Sequence, residues 1–122
     1  MAVDQRTENF TYPSGADLSA SQFCFVKFDA SNNVVLCGDG QAYIGVLQNK
    51  PTAADQAAVV CVSGQTKMKF GGSATTGLVG SDSTGRAVTA ASGDYQGARV
   101  IEGVGAANRI GSVLLLPLAK TL

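Results

Sequence analysis

Hydrophobic and polar positions along this chain repeat in short runs rather than in helical periods. From Phe23 onward, FCFVKF is followed by the polar cluster DASNN, VVLC by GDG, and YIGVLQ by Asn49-Lys50-Pro51. In the first run Phe23, Phe25 and Lys27 alternate with Cys24, Val26 and Phe28. Both faces are therefore largely apolar, the pattern of a strand packed on two sides. AAVVCVSG repeats that pattern. In QTKMKF, by contrast, Met68 and Phe70 fall on one face and Lys67 and Lys69 on the other, which predicts a half-buried strand with its lysines in water. Leu78-Val79, AVTAA, ARVIEGV and RIGSVLLLP complete the series. Pro51 and Pro117 are expected to end strands, because proline cannot donate to a ladder.

The punctuation is equally regular. Asp39-Gly40, Gly71-Gly72 and Asp82-Ser83-Thr84-Gly85-Arg86 carry turn chemistry: glycine supplies positive φ and aspartate accepts local backbone hydrogen bonds. TAADQA at 52–57 predicts one helical turn capped by Thr52, too short to stand alone. About eight or nine candidate strands, with no longer helical stretch, predict an all-β fold, a small β-barrel or β-sandwich.

Residues 1–22 stand apart, with isolated Phe10 and Tyr12 in a polar stretch and a kink at Pro13-Ser14-Gly15. They read as an extended N-terminal arm, residues 23–117 as the body and 118–122 as a C-terminal tail. Two readings of the arm stand. Phe10, Tyr12 and Pro13 are anchors for another surface, or the segment is a loose terminus or lies folded over its own barrel.

Composition narrows the function. At 122 residues the chain fits one domain with a real core. Nine basic and nine acidic residues give zero formal charge and are scattered singly, so no basic face points to nucleic acid. Charged residues are only 15% of the chain and glycines number 15, a weakly hydrated surface suited to assembly. No apolar stretch reaches membrane-spanning length, the longest being VLLLPLA, and MAVDQRTENF lacks a signal-peptide pattern. Synthesis and folding in a reducing cytoplasm are expected. Cys24, Cys37 and Cys61 each sit in an apolar run with spacing that fits neither disulfides nor zinc, and read as buried free thiols.

Catalytic chemistry is not evident. Histidine is absent, which removes the commonest general base and metal ligand. Asp29, Asp39, Asp82 and Asp94 sit beside Gly, Ser or Asn, as turn-capping carboxylates do. GGSATTG lacks a phosphate-loop ending and GVGAANRIG opens no convincing helix. The aspartate loops lack the spaced oxygen ligands of a calcium site. The chain is expected to be no enzyme and to need no cofactor or metal.

One ordered set of elements resembles a known family. Gly45-Val46-Leu47 leads to a loop bearing Pro51; Val62, Gly64 and Lys67 follow on a strand; Asp82, Gly85, Arg86, Ala87 and Val88 make a turn of the form D-x-x-G-R-A-V. Gly97, Arg99 and Glu102 then mark a strand, and V-L-L-x-P closes the series near Pro117. From about Tyr43 to Pro117 this succession is similar to the capsid decoration, or structural cement, proteins of tailed bacteriophages. The resemblance implies a β-tulip-like body on the outer surface of the virion, binding the major capsid protein of an expanded icosahedral head and bridging its subunits. It implies self-association as a homotrimer or a dimer. The competing expectation is a β-barrel binding module for a glycan or small ligand displayed on a virion.

Overall fold

The computed structural model describes residues 7–121; residues 1–6 of the arm and Leu122 of the tail lie outside the described residues. Nine strands follow one another: β1 (Thr7–Pro13), β2 (Phe25–Phe28), β3 (Val34–Leu36), β4 (Gly45–Leu47), β5 (Ala57–Lys69), β6 (Leu78–Ser81), β7 (Ala87–Thr89), β8 (Tyr95–Glu102) and β9 (Ile110–Lys120). All pair antiparallel in one sheet of order β3-β2-β4-β5-β9-β8-β6-β7, with β1 added on β5. The sheet curls into an open half-barrel, so the expected all-β class holds. Its far ends are tied by single backbone bonds, Phe25 N to Gly85 O at 2.7 Å and Gly40 N to Ser81 O at 3.0 Å.

The two-sided pattern read in the first run is how β2 is used. Phe25 joins Val46, Met68, Phe70, Val79, Ala98 and Val113 in the core inside the curl. Val26 points the other way, with Leu47, Ala58 and Val60, into a smaller core on the outer face. Burying each such side chain contributes about 1.5–3 kcal/mol before conformational entropy is charged against it. Met68 and Phe70 are wholly buried, while Lys67 is exposed and Lys69 half-buried.

AAVVCVSG and QTKMKF, which read as successive strands, are one thirteen-residue strand. A bulge joins them. Glu8 pairs with Ser63 but Asn9 with Cys61, leaving Val62 as the extra residue, and Gly64 beside it takes φ +100. One extra residue reverses which side chains face inward. Ala58 and Val60 therefore fill the outer core, and Met68 and Phe70 the inner one.

Three sequence expectations need correction. Thr7–Pro13 is not a separate arm but a strand, hydrogen-bonded to β5 from Thr7↔Gly64 to Pro13↔Ala57. The chain after it stays on the body: buried Ser14 donates from Oγ to Ala53 O at 2.7 Å and from N to Gln56 O at 2.8 Å, and Leu18 enters the outer core. Of the readings open for this segment, folding over its own body describes residues 7–22. Residues 52–57 make no helical turn. Thr52 N and Oγ1 both bond Gln56 Oε1, and Asp55 takes φ +64 while its N–H donates to Ser14 O, so the backbone is committed to a distant partner. Nor does Pro117 end the last strand. β9 runs on to Lys120, with Ala119 opposite Gln96 and Lys120 opposite Tyr95; Pro117 falls in a register shift, where no ladder donor is required.

Candidate interaction surface

Among the described residues no group of three or more His, Cys, Asp or Glu side chains is placed to hold a metal ion. Of the four aspartates expected to cap turns, Asp29, Asp82 and Asp94 accept hydrogen bonds from nearby backbone N–H groups. Asp29 Oδ1 accepts from Ser31 N and Asn33 N at 2.9 Å each, and Asp82 Oδ1 from Thr84 N and Arg86 N at 2.9 Å each. Asp82 Oδ2 also holds Arg86 Nε at 3.0 Å. Gly85, at φ +78, completes this turn; a Cβ there would press on Phe25 O and Leu36 Cδ1 at 2.7 Å.

All three cysteines are free and buried, as their apolar settings predict. Burial pushes each thiol up from its ordinary value, opposed at Cys24 chiefly by Lys69 and at Cys61 by a backbone hydrogen bond of Ser63. Burial likewise pushes the Tyr43 phenol well above its usual value; its ring stacks on Phe25 at 4.0 Å and its hydroxyl has no hydrogen-bond partner among the described residues. A folded pKa above the unfolded one contributes stability that is whole below the unfolded value, near pH 8.5 for a thiol, and is lost as pH rises toward the folded value. The melting temperature is expected to stay level from about pH 6 to 8 and to fall above about pH 9, and thiol reagents should label the folded protein slowly at pH 8 but all three cysteines promptly in denaturant. Thermal melts across pH and thiol titration check both.

The expected contact residues lie together on β1 but differ in exposure. Phe10 is 48% exposed, Tyr12 half-buried and Pro13 exposed. The Tyr12 ring meets Phe28 edge-on at 4.8 Å, with Phe10 beyond it at 6.3 Å. Tyr12 therefore belongs to the outer core. Phe10 alone of the two aromatics is free to act as an anchor.

The outer face that Phe10 shares is only partly covered. Leu18 and Tyr12 close it over β2, β4 and the first half of β5. Beyond the bulge, Leu78, Arg99, Leu114 and Gln65 are register partners in one row across β6, β8, β9 and β5. Leu78 is 36% and Leu116 40% exposed, with Ile101 at 50%. Glu8 pairs with Ser63, two residues before Gln65, so the Phe10 side of β1 continues onto this row. Cross-strand register, which no single run reveals, assembles this strip of leucines interspersed with Arg99 and Gln65.

A feature missed in the sequence is the conformation of Phe23. Asn32, Asp55 and Asn108 also take positive φ, which short polar side chains tolerate, but Phe23 at φ +65 is a bulky residue held at a cost of about 1–3 kcal/mol. Both its backbone groups are satisfied, N to Leu47 O at 2.7 Å and O from Lys69 N at 2.8 Å.

The fold and this surface define a small all-β protein built on a curled antiparallel sheet. Compared with family models and with curated proteins, the chain matches none.

Proposed function

We propose that the protein is a capsid decoration, or cement, protein of the tailed-bacteriophage kind, a non-enzymatic β-tulip-like body that binds outside an expanded icosahedral head and bridges major capsid subunits. The observation that carries this reading is the half-covered outer face, on which exposed Phe10, Leu78 and Leu116 stand among Glu8, Gln65 and Arg99, beside the Asp82 turn whose carboxylate is bonded within it. A face of that kind suits contact with a protein surface more than turnover of a substrate. The ordered elements from Gly45 to Pro117 that resemble cement proteins support it as well.

In this reading β1 stays on its own sheet and offers Phe10 and its outer margin to the shell, the margin accepting a strand or loop of the capsid protein. Self-association as a homotrimer or dimer would multiply each weak contact, since the second and third engage at high effective concentration. Phe10→Ser is expected to leave the melting temperature within about 2 °C, because the ring is half in solvent, and to weaken binding to expanded heads of the same source at least about tenfold. Pelleting with purified heads and a thermal melt measure the two. Full occupancy by Phe10→Ser would remove Phe10 from the contact, and failure of the unaltered protein to bind heads would reject the reading itself.

A further inference from the structure

Two cavities adjoin where residues 19–24 cross the end of β5. One, of about 310 Å³, is lined by Ser19, Gln22, Phe23, Lys50, Lys69 and Ile110. The other, of about 370 Å³, is lined by Lys69, Arg86, Asn108, Cys24 and Leu36 among others. Ala20 and Lys69 belong to both, which makes them two lobes of one groove.

The charged residues that line the groove are all cationic. Lys50, Lys69 and Arg86 line it and no carboxylate does. Two carboxylates stand just behind the lining: Asp17, whose Oδ1 accepts Ser19 N and Oγ at 2.9 and 2.7 Å, and Asp82, ion-paired with Arg86 at 3.0 Å, so the uncompensated charge in the groove is that of Lys50 and Lys69. Neither Lys50 nor Lys69 has an ion-pair partner among the described residues. Arg86 is held by Asp82 through Nε and by Asn108 Oδ1 through Nη1 at 2.9 Å, so its guanidinium is fixed with further N–H donors to offer. Between the cations the walls are mixed: Phe23, Leu36 and Ile110, the last 48% exposed, supply apolar patches among polar Ser19, Gln22 and Thr84. Lys67 Nζ stands 5.8 Å from the Phe23 ring centroid, adding a fourth positive charge at the margin. Phe23, whose backbone takes φ +65, lines the cavity while packing on the inner core.

We propose that this groove binds an acidic chain segment, an extended peptide in which carboxylates alternate with apolar side chains. A single small anion could meet only part of it, because Lys50 and Arg86 lie in different lobes, each of a size that takes side chains. The inference goes beyond the capsid reading, and neither depends on the other.

The test is a titration followed by amide chemical shifts, using an acetylated, amidated hexapeptide of alternating Glu and Leu. Shifts are expected at Ser19–Phe23, Lys69 and Ile110. Lys50→Gln/Lys69→Gln should weaken binding about tenfold, and Lys50→Glu alone, at an exposed site whose change spares the fold, should weaken it too. The proposal is overturned if no localised shift develops, if the lysine variants bind with unchanged affinity, if a Gln/Leu peptide binds equally well, or if inorganic phosphate binds as tightly as the peptide.

Discussion

Phe25→Ala is expected to lower stability by about 3–5 kcal/mol, a fall of roughly 12–20 °C in melting temperature for a domain of this size. Phe25 is wholly buried, stacks on Tyr43 at 4.0 Å and sits in the inner core with Phe70 and Met68. Its backbone N–H is also one of the bonds that draw β2 to the β6–β7 turn, at Gly85 O. Truncation would leave a cavity beside a Tyr43 hydroxyl that already lacks a partner, so collapse of the site is opposed by an unsatisfied polar group. Differential scanning calorimetry reads the change; a loss under about 1.5 kcal/mol would show that the curl does not depend on this ring.

Deletion of residues 2–15 is the second large effect, and its expected outcome is set by the pairing of β1. Were these residues a detached arm, their removal would leave the body intact. As a strand they supply the whole Thr7–Pro13 ladder to β5, the Tyr12 ring that covers Phe28, and Ser14, whose bonds to Ala53 and Gln56 hold the following segment. The deletion is expected to cost at least about 3 kcal/mol and to expose a long apolar margin of β5 that promotes association. Urea unfolding and light scattering test this. A truncated body as stable and monodisperse as the full chain would show that β1 adds nothing to the fold.

What was legible in the sequence was local. The alternation in FCFVKF foretold a strand packed on two faces, Lys67 and Lys69 were placed outward, and Asp82 with Gly85 announced a tight turn; each depends on neighbours a few residues away. What escaped depends on distant partners. Thr7–Pro13 is polar because most of its side chains meet water on both faces, so no periodicity betrays that its backbone is bonded to β5. Residues 52–57 have a plausible helical composition, yet Ser14 claims the Asp55 N–H. Pro117 reads as a stop, but its place in a register shift excuses the missing donor. The candidate surface shares this character: Phe10 was identifiable as an isolated aromatic, whereas Leu78, Leu114 and Gln65 become neighbours only through register.

The extra residue at Val62 makes β5 two messages written out of phase on one strand. Its first half addresses the outer core and its second the inner, so a shared wall serves both without a connecting loop. Chain length between Cys61 and Gly64 is therefore a specification in its own right. With one residue fewer, the same side chains in the same order would turn Lys67 and Lys69 toward the apolar interior and Met68 and Phe70 toward solvent.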